Sequence, residues 1–309
     1  MTVRVVNSNR YHHWQTRYAP YVFLAPFALI FLTFWLDPLI KSFVLAFSIT
    51  CGPNVRVFVG LNNFRFLLTD PDFHKAVWNT SVFAMASLFV QLSLSLALAL
   101  LLNRRFLKGR NLFRLAFFTP NLVGMVFVGL LFSMVFAPLF GLVNQVLHAL
   151  TNQPTDTNWL FNPKLVMPAL VLAALWLYVG FNMIYFLAAL QAVDRELYDA
   201  AQVDGANMFQ QFLHVTLPGI RPVAVVIVVL STIGSFQLFE LAYLMLNNGT
   251  RNWPGPDNSG LTIVMYLYQN GFVTGDLGYA SAVGWTLALI VMALSLLQIW
   301  LSGTWKREA

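Results

Sequence analysis

The chain has 309 residues, of which 58% are hydrophobic and only 10% are charged. An ordinary soluble domain has about 25% charged residues, so this composition excludes a soluble globular protein and predicts a polytopic membrane protein. The formal net charge of +6 does not indicate nucleic-acid binding, because no basic stripe with interleaved aromatic residues occurs. The single cysteine, Cys51, has no partner for an internal disulfide or a metal site.

Six apolar runs follow one another along the chain. Each is long enough to cross a bilayer core of about 30 Å, which needs about 20 residues of helix. Backbone polar groups in lipid must be satisfied internally, and the runs lack the period-2 alternation of barrel strands. We therefore predict an all-α membrane domain over 20–304, between tails 1–19 and 305–309. Its six transmembrane helices are 21–47, 76–102, 115–136, 165–193, 223–246 and 277–304.

Lysine and arginine predict the orientation of these helices. With six spans, both termini lie on the same side as the loops that follow the second and fourth runs. That side carries Arg4, Arg10, Arg17, Arg104, Arg105, Lys108, Arg110, Arg114, Arg195, Arg221, Lys306 and Arg307. The opposite side carries half as many, namely Lys41, Arg56, Arg65, Lys75, Lys164 and Arg251. The bias predicts a multi-pass membrane protein with both termini in the cytoplasm.

The stretch Asp194–Pro222, which joins the fourth and fifth runs, is the longest polar, charged island in the C-terminal half. Leu197, Ala200 and Ala201 form one apolar face of a short helix. Gly205 then interrupts as a residue that accepts positive φ, and Asn207 can cap a second short helix. Pro218 and Pro222 are expected to stop that helix before the next apolar run. The pattern predicts a helix, a glycine hinge, a helix and a proline stop.

This stretch resembles the cytoplasmic EAA loop of permease subunits of type I ABC importers. The family pattern is Glu-Ala-Ala, three residues, Gly, nine residues, Ile, one residue and Leu-Pro. Here Asp199-Ala200-Ala201, Gly205, Val215 and Leu217-Pro218 keep that spacing, with Asp replacing Glu and Val replacing Ile. The sequence E-L-Y-D-A-A-Q-V-D-G-A at 196–206 is similar to that of the carbohydrate-uptake branch of the family, the maltose and glycerol-phosphate type of permease. Phe58–Leu68 and Leu277–Trp285 also resemble that branch.

The resemblance implies that the loop forms a coupling helix that docks in a groove on a cytoplasmic ATPase. The implied coupling residues are Glu196, Asp199, Ala200, Ala201, Asp204, Gly205, Ala206, Phe209, Leu217 and Pro218. Small alanines permit close packing, and the carboxylates suit basic ATPase residues or cap local amides. The structural alternative is an interfacial helix that only anchors a loop.

The chain has no Gly-x-x-x-x-Gly-Lys-Ser/Thr phosphate loop, so ATP and magnesium are expected to be used by separate subunits. The chain itself is expected to be a transporter subunit that binds no cofactor or metal and is not an enzyme. The resemblance implies four further polypeptides: a second, homologous permease, two copies of an ABC ATPase, and a solute-binding protein that is periplasmic or lipid-anchored. The implied substrate is a saccharide or a related polyol, and the implied location is the bacterial inner membrane.

In related sugar importers the substrate contacts lie on the spans before and after the EAA loop, here the fourth and fifth. The candidates are Trp176, Tyr178, Phe181, Asn182, Ser231, Ser235, Gln237 and Glu240. Aromatic faces and neutral hydrogen-bonding groups suit the apolar faces and hydroxyl edges of a sugar. The alternative for each serine or amide is interhelical hydrogen bonding.

Glu240 is the one ionisable residue in the last five runs, and an ionisable group inside a span is a functional hypothesis by default. It lies near the outer end of its run, where it can face a wet vestibule or pair with a partner subunit. Three alternatives for the chain remain: an ABC importer permease for another solute class, an ion-coupled secondary transporter, and a membrane enzyme. The sequence shows no catalytic constellation for an enzyme.

Overall fold

The computed structural model describes residues 8–50, 55–104, 108–152, 156–247 and 253–303. Cys51, residues 1–7, residues 304–309 and part of the loop after the fifth run lie outside the described residues. We call the end of the helical bundle that carries residues 194–222 the near end, and the opposite end the far end. The described part is helical apart from one short hairpin and the connecting loops.

The first run is one long helix whose side chains are mostly exposed. It consists of α1 (Ser8–Phe31), a π-helical turn (Leu32–Leu36) and α2 (Asp37–Leu45). The helix continues through Asp37 and Pro38. The backbone N–H of Asp37 bonds to the carbonyl of Leu32, so the widened turn accepts the ring of Pro38 without a clash. None of the apolar window of this helix is buried, which leaves it free to contact lipid or another protein.

At the far end a small hairpin and a short helix form a cap. Strand β1 (Ser48–Thr50) pairs antiparallel with β2 (Arg56–Phe58), and α3 (Asn62–Thr69) follows. The amide of Asn63 donates to the carbonyls of Ala46 and Ser48, at 2.9 Å each. The hairpin is thereby held against the end of α2.

The second run begins earlier than its apolar composition suggests. The helix comprises α4 (Pro71–Ala86), a π-helical turn (Ser87–Gln91) and α5 (Leu92–Asn103). It starts at Pro71 because the Asp70 carboxylate accepts a hydrogen bond from the backbone N–H of Asp72 at 2.9 Å and caps the first turn.

The third run is bent rather than straight. Helices α6 (Arg110–Leu122) and α7 (Met125–Val135) meet at an angle of 97°. Val123 is extended, with ψ near 126°, and therefore ends α6. The bend lets α6 pack on α9 while α7 packs on α13. Helix α8 (Leu142–Thr151) follows at the far end.

Helix α9 (Val166–Ala192) forms the centre of the bundle and packs against α5, α6 and α12. Small residues allow these close approaches. A Cβ atom added at Gly180 would lie 1.7 Å from the carbonyl oxygen of Phe117 on α6. Glycine at this position is therefore a requirement of the α6–α9 crossing.

The near-end segment contains α10 (Arg195–Val203) and α11 (Met208–Gln211). A π-helical turn (Phe212–Thr216) then leads straight into α12 (Leu217–Phe236). The expected proline stop is wrong, since one helix runs through Pro218 and Pro222 into the membrane domain. The N–H of Leu217 bonds to the carbonyl of Phe212, and the widened turn makes room for the ring of Pro218. Helix α13 (Glu240–Leu246) completes the fifth run.

The last part of the chain forms a far-end loop and a final helix. The loop contains a 3₁₀ turn (Pro256–Asn258), α14 (Ile263–Tyr268) and a π-helical turn (Gln269–Val273). The Asn79 amide on α4 donates to the carbonyls of Asn258 and Leu261, at 2.8 and 3.0 Å, and holds this loop in place. Helix α15 (Leu277–Ser302) ends at Gly303, which has φ of +62°.

The described helices define an all-α polytopic membrane protein. By length and composition, five of them can cross a membrane alone, and the bent pair α6–α7 makes a sixth span if it is counted as one. The five are Arg17–Leu45, Pro71–Asn103, Val166–Ala192, Met208–Leu246 and Leu277–Ser302.

The crossing of α6 and α9 generates a stability prediction. Gly180→Ala should lower the thermal unfolding temperature of the purified protein, because the new methyl group must displace the backbone of α6 at a cost of about 1–3 kcal/mol. Gly234→Ala on α12 is the matched control, since a Cβ there meets nothing within 4 Å and alanine favours the helix. Equal unfolding temperatures for Gly180→Ala and the unmodified protein would contradict the proposed crossing.

Candidate functional site

A cavity of about 410 Å³ lies between α4, α9, α12 and α13. Seven of the eight path candidates predicted from the sequence line it: Tyr178, Phe181, Asn182, Ser231, Ser235, Gln237 and Glu240. Tyr178 is about 21 Å from the near end of α9 at roughly 1.5 Å of rise per residue, which places the cavity at the middle of the bundle.

Helix α9 supplies one wall of the cavity. Asn182 is 7% exposed, and its side chain makes no hydrogen bond to another described residue. The Tyr178 hydroxyl donates only to the Met125 sulfur, at 3.8 Å, which is a weak acceptor. Phe181 packs edge-on against Tyr185, with ring centroids 5.0 Å apart. This wall therefore offers an amide and a hydroxyl beside aromatic rings.

Helices α12 and α13 supply the facing wall. The Ser235 hydroxyl donates to the carbonyl of Ser231 at 2.7 Å, a bond within the helix. Gln237 and Glu240 are exposed to the cavity at the break between the two helices. Among the described residues the one ion pair is Lys41–Asp37, so Glu240 has no cationic partner in this part of the chain. Both walls thus carry polar groups that are free to bind a ligand.

Three irregularities of the helical backbone meet at this cavity. The π-helical turn after α4 contributes Ser87 and Gln91, which lie one turn apart and bond to each other at 3.3 Å. The α6–α7 bend contributes Met125, and the break between α12 and α13 contributes Gln237. Non-helical backbone at membrane depth is tolerated where it is buried in protein or lines a cavity. All three irregular stretches therefore contribute residues to the lining of one cavity.

Trp176 is the path candidate that the structure does not bring to the cavity. Two residues turn an α-helix by about 200°, so Trp176 lies on the opposite face of α9 from Tyr178. Its ring packs on Phe132 of α7, with centroids 5.6 Å apart, and 42% of the residue is exposed.

Helical spacing would have found several residues that sequence reasoning missed. Tyr185 lies one turn after Phe181 and Asn182 on the same face of α9 and lines the cavity. Ser87 and Gln91 have the same i, i+4 relation within the second run. Ser87 and Gln91 were missed because only the two spans beside the polar segment were searched, and Tyr185 was missed because helical spacing along the fourth run was not considered.

The near-end segment is built from two well-capped helices. The Asp194 carboxylate accepts from the N–H of Glu196 at 3.1 Å and begins α10. Asn207 and Gln210 exchange side-chain and backbone hydrogen bonds at 2.9 and 2.8 Å, a capping box that begins α11. Between the helices Gly205 has φ of +77°, a conformation that side chains disfavour.

Specific contacts fix α10 against the base of α12. The Tyr198 hydroxyl lies 3.0 Å from the Thr216 hydroxyl in a hydrogen bond. The Gln211 amide donates to the carbonyl of Ala206 at 2.9 Å. A Cβ at Gly219 would lie 2.8 Å from Val193, so α12 also packs closely on the end of α9. The segment is therefore attached firmly to the two helices that line the cavity.

The outer surface of this segment is apolar and acidic. Val203 is 89% exposed and Phe209 is 68% exposed, beside the exposed carboxylates of Glu196, Asp199 and Asp204. The other predicted coupling residues are distributed along the segment: Ala200 and Gly205 are exposed, Ala201 and Ala206 are half-buried, and Leu217 and Pro218 are exposed at the start of α12. Much of this segment is therefore left uncovered by the described part of the chain.

No group of three or more His, Cys, Asp or Glu side chains in the described ranges is placed to hold a metal ion. A bundle of membrane-spanning helices, a central cavity with polar groups on a mostly apolar lining, and an exposed helical segment attached to the cavity walls are typical of a membrane permease. The chain belongs to the family described as "binding-protein-dependent transport system inner membrane component", whose model matches residues 73–304. This is the family of permease subunits of ABC importers, and the relatives described next are sugar permeases.

Two relatives illustrate the similarity. The arabinooligosaccharides transport system permease protein AraP of Bacillus subtilis is 40% identical over 291 residues, covering 94% of this chain and 90% of the relative. The lactose transport system permease protein LacF of Rhizobium radiobacter is 34% identical over 281 residues, covering 91% and 92%.

Among solved structures, this chain resembles a bacterial ABC transporter involved in the import of the acidic polysaccharide alginate. The TM-score is 0.80 at 26% identity, over 94% of this chain and 97% of that one. A structure of a bacterial alginate ABC transporter in complex with an alginate pentasaccharide-bound periplasmic protein also has a TM-score of 0.80, at 25% identity.

The contact between α10 and the base of α12 generates a second prediction. Tyr198→Phe removes the hydroxyl that bonds to Thr216 and should raise amide hydrogen exchange in residues 195–203 by roughly fivefold, for a bond of about 1 kcal/mol. Tyr21→Phe is the control, because the Tyr21 side chain on the first helix is exposed. Unchanged exchange in Tyr198→Phe would show that this hydrogen bond does not hold α10 in place.

Proposed function

We propose that this chain forms, with a second homologous permease, the translocation pathway of an ATP-driven saccharide importer. A solute-binding protein delivers the saccharide or related polyol, and two ABC ATPases supply the energy by hydrolysing ATP. One observation carries the proposal: α9 and α12 both line the cavity, and the near-end segment joins the end of α9 to the start of α12.

The chemistry of the cavity supports a saccharide. Its volume of about 410 Å³ lies within the roughly 300–1,000 Å³ of small-molecule sites. Tyr178, Phe181 and Tyr185 offer aromatic faces for the apolar face of a sugar ring, while Asn182, Ser231 and Gln237 offer hydrogen bonds to its hydroxyls. The names of the relatives support the same class, because they designate permeases for arabinooligosaccharides and lactose.

The near-end segment supports coupling to an ATPase. Its exposed apolar residues, Val203, Met208 and Phe209, suit an apolar groove, and the carboxylates of α10 suit basic residues around such a groove. Because this segment is bonded to α12 and packed on the end of α9, its displacement moves both cavity walls. ATP binding and hydrolysis would then bias the populations of outward-facing and inward-facing cavities.

This mechanism assigns the near end to the cytoplasm. The bias of lysine and arginine toward the near end supports that orientation, with both termini in the cytoplasm of a bacterial cell. The binding protein would dock on the far end, which α3, the hairpin and the 253–276 loop cap. One of the solved relatives is a complex with a sugar-bound periplasmic protein, which supports such a partner here.

The coupling role of Gly205 is testable with a matched pair of glycines. Gly205→Val should lower ATPase co-purification and substrate-stimulated ATP hydrolysis roughly tenfold, because valine at φ of +77° distorts the turn between α10 and α11. Gly109→Val is the control. Gly109 precedes α6 at the near end, has φ of +79°, and leaves no atom closer than 4.0 Å to the added Cβ. Equal losses in both variants, or none in Gly205→Val, would rule out a specific coupling role.

The path role of the cavity is testable on one helix. Tyr178→Ala should lower sugar uptake by the assembled transporter at least tenfold, because it removes an aromatic face and a hydroxyl from the cavity. Trp176→Ala, two residues away on the opposite face, removes a larger ring and should leave uptake within about twofold. Uptake should be normalised to the assembled complex. Equal uptake by the two variants would return these residues to a packing role.

A further inference from the structure

We propose that Glu240 makes the cavity electronegative and thereby excludes saccharides that carry a carboxylate, so that the pathway accepts neutral or amine-bearing sugars. This inference rests on the proposed function, because it assigns a substrate class to the same cavity. It concerns the charge of the transported sugar, which the general chemistry of aromatic rings and amides does not determine.

The residues that line the cavity carry one carboxylate and no cation. The twenty described lining residues include Glu240 but no lysine, arginine or histidine. The remaining polar groups there are neutral: serine hydroxyls, the amides of Gln91, Asn182 and Gln237, and two tyrosines. A carboxylate of the substrate would therefore meet a like charge and find no counter-charge on this chain.

The carboxylate is placed to act on the contents of the cavity. Glu240 begins α13, directly after the irregular stretch that ends α12, and its side chain is exposed in the chain. It has no ion-pair partner in the described ranges. The neighbouring walls are apolar, with Phe83, Val226 and Leu230 among them, and apolar walls of low dielectric strengthen the field of an unpaired charge.

The fold alone does not impose this selectivity. The structure that this chain resembles belongs to an importer of the acidic polysaccharide alginate, with a TM-score of 0.80 over 94% of this chain. The same architecture is thus compatible with an anionic saccharide. Discrimination by charge within the pathway then comes from its side chains, and Glu240 is the charged side chain among the described residues that line the cavity.

The expected size of the effect follows from Coulomb's law. A uronate carboxylate is ionised at pH 7, and two like charges about 8 Å apart at an effective dielectric constant of about 20 disfavour occupancy roughly thirtyfold. Water and salt in the cavity reduce this figure, so we expect discrimination of roughly tenfold between otherwise matched sugars.

The charge of the cavity can be measured without any sugar. Because Cys51 is the one cysteine of the chain, Cys51→Ser gives a cysteine-free background for Ser231→Cys on the cavity wall. The rates of modification by cationic and anionic methanethiosulfonate reagents of similar size are compared in the full complex. Adding Glu240→Gln should lower the cationic-to-anionic rate ratio at least fivefold. Asp156→Asn, which removes an exposed carboxylate outside the cavity, should leave it unchanged.

The selectivity itself is measured by transport in proteoliposomes that contain the full complex. The substrates are the neutral, terminal-uronate and terminal-amine forms of one oligosaccharide, with the liganded binding protein held at equal concentration. Glu240→Gln should raise the uronate-to-neutral rate ratio and lower the amine-to-neutral ratio, each roughly tenfold. Asp156→Asn should change neither ratio. If the binding protein does not bind the uronate form, the amine-to-neutral transport ratio tests the inference.

Any of three results would overturn the inference. The first is a cationic-to-anionic rate ratio that Glu240→Gln does not change. The second is equal transport of the three sugars by the unmodified complex, and the third is transport ratios that are equal in Glu240→Gln and the unmodified complex. Failure of the proposed function looks different. In that case no form of the sugar is transported by any variant, while the thiol reagents still report whether the cavity is electronegative.

Discussion

The backbone hydrogen bonds of this protein have to be made within its own helices, and the rest of the structure follows from that constraint. Apolar runs become long helices, and a bend or break that frees backbone groups needs a site where water or protein satisfies them. Three departures lie at membrane depth around one place: the turn at Ser87–Gln91, the bend before Met125 and the break at Gln237. They line the same cavity. The irregular backbone and the cavity therefore occur together, which fits the rule that non-helical backbone at membrane depth lines a cavity or is buried in protein.

The central helix α9 connects this cavity to the packing of the bundle. One face carries Tyr178, Phe181, Asn182 and Tyr185 toward the cavity, while Gly180 lets α6 approach within backbone contact on another face. A helix that is surrounded in this way cannot rotate without rebuilding several interfaces, so the polar groups are held in fixed directions. Fixed direction is what a sugar site needs, because hydroxyl groups are distinguished by the geometry of their hydrogen bonds.

Much of this arrangement could be predicted from the sequence, and the failures have physical reasons. The apolar runs and the polar island predicted the helices, and the spacing around Gly205 predicted two short helices with Asn207 as a cap. Trp176 was misplaced because residue type was considered without its helical angle, which also concealed Tyr185. The 97° bend could not be predicted, because it depends on the packing of α7 against α13, which is distant in the sequence. Hydropathy reports where a segment is apolar, and it does not report which neighbour the segment packs against.

The prolines were misinterpreted for a reason that bears on mechanism. A proline within a regular α-helix clashes with the preceding turn, so Pro218 was expected to end its helix, and Pro38 creates the same steric problem in the first helix. In each case a π-helical turn of five residues lies immediately before the proline region and absorbs the ring. At Pro218 the consequence is that α11 continues without a flexible joint into α12. A proline stop would have separated the exposed segment from the membrane helix and let each move alone. The continuous helix instead joins Phe209, on the surface that would contact an ATPase in the proposed mechanism, to Ser231 on the cavity wall without a break in the helical backbone.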